Sequence, residues 1–300
     1  MKNHLIFLSL LLAAVSFTSC CKKAPVADHV IMLTIDGMSS ADFNPEELPT
    51  LKALMDEGCW TLQKRSVVPS VSAVNWASMF MGVGTEIHGY TTWGSQVPEI
   101  EPRAVNERGI NPTIFSILRE QRPESVISCL YEWDNIGNLI DKDVADRAEE
   151  AAGYKEDSEL LCRMAEESVL SDKPSLLLVC WDQVDHAGHV YGWGSPEYME
   201  SVRKMDEYCG RIIEKTKEAG IYENTVFLVT ADHGGIEYGH GGYTLNEMET
   251  PFIIVGKGIR KGGQFSESMA QYDVPAMVAR IFRLALPQVW RGQAIESVFE

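Results

Sequence analysis

The sequence predicts an α/β fold: a mostly parallel central β-sheet flanked by helices on both faces. Apolar runs rich in β-branched residues recur along the chain, amphipathic stretches of helical length separate them, and acidic or histidine residues stand directly behind three of the runs. Such alternation suits a parallel sheet, whose crossover helices cover its faces. Ligands in such folds gather outside the carboxyl ends of the strands.

Residues 1–19 are set aside first. Lys2 and His4 give a basic start, 5–15 is an apolar run, and Thr18 and Ser19 precede Cys20. The run is shorter than the roughly 17 to 25 residues that span a bilayer, so it reads as a cleaved signal peptide. Phe17-Thr18-Ser19-Cys20 also resembles a bacterial lipobox, with a lipid on Cys20 as the membrane anchor; Cys21 is the alternative acceptor, and in a plainly secreted protein both are incidental. Residues 20–28 then form a tether, and the protein is expected in the cell envelope, periplasmic or at the cell surface. Residues 29–300 suit a single catalytic domain with a sizeable core.

Strands are expected at 30–35, 125–130, 176–180, 226–230 and 252–255, where short apolar runs are bounded by polar or turn residues. Helices are expected at 48–57, 74–81, 112–119, 157–170, 196–219 and 274–282. Gly58 and Gly220 stand just past two of these ends, as stop signals do.

A formal net charge of -17 and the lack of any basic cluster argue against a nucleic-acid polymer as partner. The cysteines beyond the leader, Cys59, Cys129, Cys162, Cys180 and Cys209, form no close pairs, so no disulfide framework is expected.

Asp36 follows the first strand, Asp182 and Asp185 follow the strand at 176–180, and Asp232 and His233 follow the strand at 226–230. Taken alone, Asp36-Gly37 is equally well a strand-ending turn. Asp185 and His189 lie four residues apart in a segment that reads as a glycine-containing ligand loop, or simply a polar loop. His240 sits in Gly239-His240-Gly241-Gly242. A mixed Asp and His set of this kind suits two divalent metal ions, zinc before manganese or iron.

In this order, Asp36-Gly37, the segment Pro69-Ser70-Val71-Ser72-Ala73-Val74-Asn75 leading through Gly82 to His88-Gly89, Asp185 to Gly192, Asp232-His233-Gly234 and His240 resemble the alkaline phosphatase superfamily, within it the type I phosphodiesterase and nucleotide pyrophosphatase family. The resemblance implies an alkaline phosphatase-like fold, one metal on Asp36, Ser72, Asp232 and His233, and the other on Asp185, His189 and His240. It implies that Ser72 is the nucleophile, forming a phosphoseryl intermediate, and that Asn75 donates to a phosphoryl oxygen. Asp182 and His186 repeat the spacing of Asp185 and His189. The second pair is preferred because Gly188 precedes His189 and Val-Tyr-Gly follows it; Asp182 then supports the ligands from behind.

Ser72 stands just before an amphipathic run, so it is expected at a helix N-terminus, where free amides favour an anion. A simple N-cap explains the same placement. Two dications against three aspartates and one alkoxide sum to about zero, and no motif arginine stands beside Ser72, Lys64 and Arg65 lying several residues before it. That favours phosphodiesters or pyrophosphates, with a small phosphate ester or nucleotide as substrate. The alternatives are a phosphomonoesterase of the same superfamily and a non-catalytic surface binding lipoprotein. The family's long insertion before the third histidine is here only 234–239, which leaves the site open. Trp76, Trp93, Trp193 and Tyr243 are candidates for stacking on a substrate.

Overall fold

The computed structural model describes residues 24–107, 109–155 and 159–300. The expected signal peptide and the candidate lipid-acceptor cysteines lie outside them. Strands β1 (His29–Ile35), β2 (Cys59–Arg65), β3 (Ile127–Tyr131), β4 (Arg147–Glu150), β5 (Leu176–Trp181), β6 (Thr225–Thr230), β7 (Glu249–Gly256) and β8 (Gly263–Gln264) make one sheet in the order β4-β3-β5-β1-β6-β7-β2-β8. The five strands from β4 to β6 are mutually parallel; β7 runs antiparallel to both β6 and β2.

The antiparallel step has a local cause. A parallel return needs a long crossover, usually a helix that spans the sheet, and between β6 and β7 the only helix is the four-residue α9 below. The chain therefore turns back at the same end.

The helices are α1 (Pro49–Glu57), α2 (Ser72–Met81), α3 (Thr85–His88), α4 (Ile114–Gln121), α5 (Ile136–Leu139), α6 (Leu160–Ser171), α7 (Gln183–Tyr191), α8 (Pro196–Glu218), α9 (Leu245–Met248) and α10 (Val274–Phe282). Thr113 caps α4 through a reciprocal bond with Ser116, and Ser195 caps α8 ahead of Pro196. None of the described helices is long and apolar enough to cross a membrane.

Successive residues of β1 feed opposite cores. Val30 and Met32 pack with α2, α4 and α10, whereas Ile31, Leu33 and Ile35 pack with α1, α6 and α8. This two-sided burial is why β1, β5 and β6 read as continuous apolar runs.

The structure corrects several expectations. Strands β2, β4 and β8 were not expected: β4 reads Arg-Ala-Glu-Glu on the sheet edge, where charge protects an open ladder, and β8 has two residues. The expected ligand loop after β5 is α7. The expected tether ends early, because Val26 N–H donates to Ile281 O at 2.8 Å and Ala27 is buried. The five described cysteines are free and buried.

Candidate active site

The three central neighbours β5, β1 and β6 are parallel, with Ile35 paired to Trp181 and Thr34 to Thr230. Their carboxyl ends therefore stand side by side. Asp36 leaves β1, α7 with Asp185 and His189 leaves β5, and Asp232 and His233 leave β6. Because α7 is a helix, Asp185 and His189 are one turn apart on one face.

Gly37 lets these segments meet. Its φ of 71° is left-handed, and a Cβ there would lie 2.8 Å from the Cα of Asp185. Its N–H donates to Asp232 Oδ1 at 3.2 Å.

Ser72 is the first residue of α2, whose N-cap is Val71 and has no side-chain cap bond. Ser72 is thus no cap, and its hydroxyl is 3.1 Å from His233 Nε2. That nitrogen is 3.2 Å from Asp232 Oδ2 and 3.4 Å from Asp36 Oδ1. A second group forms alongside: His189 Nε2 is 3.3 Å from Asp185 Oδ2, and His240 Nε2 is 3.6 Å from Asp185 Oδ1 and 3.1 Å from His189 Nε2.

Each histidine is turned by a backbone carbonyl. Nδ1 of His233 meets Gly234 O at 2.8 Å, Nδ1 of His189 meets Tyr238 O at 2.9 Å, and Nδ1 of His240 meets Ser70 O at 3.0 Å. A carbonyl only accepts, so the proton sits on Nδ1, and each Nε2 faces the carboxylates. Burial holds His233 and His240 down at about 3, so both are neutral. His189 goes the other way, up to about 9, through its bond to Asp185.

The carboxylates are crowded. Burial, then Asp232, Asp185 and Asp182, push Asp36 well above the ordinary range, and burial and Asp185 do the same to Asp232. Asp36 Oδ1, Asp185 Oδ1 and Asp232 Oδ2 are buried without a hydrogen-bond partner. Buried anions in this state call for positive charge. Donor atoms of Asp185, His189 and His240 lie within 4.8 Å of one another, as do those of Asp36, Asp185 and His233. The set fits two divalent cations, with Asp185 common to both groups.

Asp182 and His186 line the same cavity but belong to neither donor group. The Asp182 carboxylate accepts from the Tyr154 hydroxyl, and the His186 ring meets the Tyr154 ring edge-on at 6.4 Å.

Asn75 is not placed as expected. Its Oδ1 accepts from Val67 N at 2.7 Å and its Nδ2 donates to the carbonyls of Val67, Pro69 and Val71. The amide is consumed in shaping the loop before Ser72 and does not reach the cavity. Trp76 likewise is fully buried, donating to Asp36 Oδ2 at 3.0 Å. Trp193 lies against His189 and donates to Gly37 O at 2.9 Å. Its ring fills the space over Gly188 and Gly235, where a Cβ would collide with it. His88 is a core residue, linking Ser78 to the Tyr90 N–H. Lys64 Nζ donates to Ala231 O at 2.9 Å, and its burial drives it down to about 7 against the opposing pull of the Asp232 and Asp273 carboxylates. Arg65 pairs with Glu249.

A cavity of about 600 Å³ opens over Ser72, Asp185, His189 and His240. Trp93, already a stacking candidate, lines it together with Trp133, Tyr154 and Lys155, three residues that sequence reasoning missed. Tyr243 is 84% exposed and outside this lining. Glu132, one residue past β3, was also missed, although the rule that found Asp36 applies to it equally. Burial pushes its carboxyl up to about 8.

A model of the type I phosphodiesterase/nucleotide pyrophosphatase family matches residues 30–251. Bis(5'-adenosyl)-triphosphatase ENPP4 of Pongo abelii is 22% identical over 213 residues, covering 68% of this chain and 47% of that relative. The chain spans less than half the length of the curated relatives it matches. Murine ectonucleotide pyrophosphatase/phosphodiesterase 5, an inactive variant in complex with AMP, superposes with a TM-score of 0.71 at 14% identity over 91% of this chain and all of that one. Wild-type alkaline phosphatase PafA gives 0.74 at 10% identity, over 93% and 99% of the two chains.

Proposed function

The chain belongs to the type I phosphodiesterase/nucleotide pyrophosphatase family, a phosphoric ester hydrolase on the alkaline phosphatase fold, and on that premise we propose that it is an exported hydrolase of phosphodiester or pyrophosphate bonds acting through Ser72. The observation that carries this reading is the Ser72 hydroxyl 3.1 Å from His233 Nε2, beside three buried carboxylates with unpartnered oxygens.

Ser72 Oγ would attack phosphorus as the bond to the leaving oxygen breaks, giving a phosphoseryl enzyme; water then displaces Ser72, which regains its proton. Two divalent cations, zinc first, held by Asp36, Asp232, His233 and Ser72 and by Asp185, His189 and His240, would supply the positive charge that favours the alkoxide and offsets charge on the leaving oxygen. Ser72 begins α2, so the positive end of that helix would favour the same anion.

The substrate side rests on the cavity. Two indoles and a phenol offer faces for a nucleoside, and among the described residues Lys155 is the one lysine or arginine in the lining. Lys64 and Arg65 are engaged elsewhere. That scarcity of positive charge disfavours a dianionic monoester. The AMP-bound relative supports a nucleotide, and the signal sequence with Cys20 supports export and a lipid anchor.

Purified protein should carry zinc and hydrolyse a nucleotide aryl ester and an aryl phosphodiester faster than an aryl phosphomonoester. A strong monoester preference overturns the reading in favour of a phosphomonoesterase. Turnover of none of these by metal-loaded protein favours a binding lipoprotein instead.

A further inference from the structure

The helix that carries Asp185 and His189 is not capped by its own sequence. Asp182 occupies the N-cap position of α7 but makes no side-chain cap bond, because its carboxylate is turned to Tyr154. The first amides of the helix would then lack partners, a costly state for buried backbone. They find one just past the end of the neighbouring strand β3. Glu132 Oε2 accepts from Asp182 N at 2.7 Å and from Gln183 N at 3.2 Å. Its Oε1 is buried without a partner.

We propose that Glu132 is a positioning residue for the metal centre: by capping α7 from just past β3 it fixes the helix on which Asp185 and His189 are presented, and keeps Asp182 turned away. This rests on the assignment of Asp185, His189 and His240 as metal ligands. Groups behind the ligands are commonly worth 10- to 100-fold in metal affinity, and here a single carboxyl sets the position of two ligands at once. What α7 needs from Glu132 is an acceptor. A protonated carboxyl still provides one, which fits the upward displacement of its pKa and makes glutamine a close substitute.

A control of the same construction exists in the molecule. Asp206 accepts from Thr50 N at 3.1 Å and Leu51 N at 2.7 Å, capping α1 from α8. Helix α1 carries no site residue, so loss of that cap is structural only.

The experiment is zinc titration of the full-length protein against a competing chelator, resolving the two ions, with thermal unfolding in parallel. Glu132→Met, which keeps the length without the acceptor, and Glu132→Ala should weaken one of the two zinc ions about 10- to 100-fold, and Glu132→Gln should remain within about threefold of wild type. Asp206→Ala should lower the unfolding temperature and leave both zinc affinities unchanged. The proposal is overturned if Glu132→Gln loses zinc as severely as Glu132→Ala, or if the folded Met and Ala variants bind both ions as wild type does. Because zinc binding is read without substrate, an error about the hydrolysed bond leaves this test intact.

Discussion

Gly37 and Asp185 are in contact across two strand ends: a methyl group on Gly37 would lie 2.9 Å from Asp185 Oδ1. Gly37→Ala therefore meets a collision as well as the left-handed backbone, which alone costs about 1–2 kcal/mol. The variant should unfold at lower temperature and lose about 100-fold in turnover as Asp185 is displaced. Unchanged zinc content and melting would contradict the contact.

His189→Ala and His186→Ala separate the two ways of pairing an aspartate with a histidine on α7. His189 Nε2 lies against Asp185 and His240, whereas His186 packs on Tyr154. Elemental analysis should find bound zinc lowered in His189→Ala and retained in His186→Ala. The reverse pattern moves the ligand set to Asp182 and His186.

Trp76→Phe keeps an aromatic ring on Phe80 but removes the N–H held by Asp36 Oδ2. Asp36 then loses the bond that orients it. Turnover should fall about tenfold, the low end for a group behind a metal ligand, with the fold intact by circular dichroism.

Lys155→Ala tests the outer cavity. Lys155 lines the cavity over the Tyr154 ring, its charge is felt by Asp182 and His186, and it belongs to neither metal-donor group. KM for a nucleotide should rise about tenfold, the loss of roughly one charge-assisted bond. KM for a small uncharged-arm aryl diester should hold, and kcat should change little for either.

Removing metal with a chelator exposes a pH dependence at Glu132. Its carboxyl is pushed from 4.5 up to about 8, chiefly by burial, with Asp182 adding negative charge and Tyr154 nearby. The folded protein therefore keeps this proton where the unfolded chain has lost it. That contribution is fully present below about pH 4.5 and declines as the pH rises through 8. Glu132→Gln does not titrate, so wild type should lose stability relative to it across this window in urea unfolding. A flat difference refutes the shift.

The parts of the fold legible in the sequence were those buried on both sides. β1, β5 and β6 are dominated by buried apolar residues, and their ends announced Asp36, Asp185 and Asp232. β2 escaped because its burial alternates irregularly and it carries Lys64 inward, and β4 because an edge strand is built from charge. α7 was hidden by Gly188, a poor helix former kept there by the ring of Trp193. Asn75 was misjudged for a different reason. Spacing gives its place on α2, but only coordinates show the amide turned back to the 67–71 backbone. Glu132 was within reach of the same strand-end rule, whereas Trp133, Tyr154 and Lys155 enter the cavity through loop paths that no periodicity records.

The turn between His233 and His240 is a tight hairpin closed by a pair of bonds between Ile236 and Gly239. It joins one member of each donor group by the shortest covalent route in the site. Under the proposed metal assignment, its length would act as a gauge for the distance between the two ions. Inserting one residue at Glu237, where φ is already 53°, would alter that distance without touching a ligand, converting intermetal spacing into a variable that can be stepped.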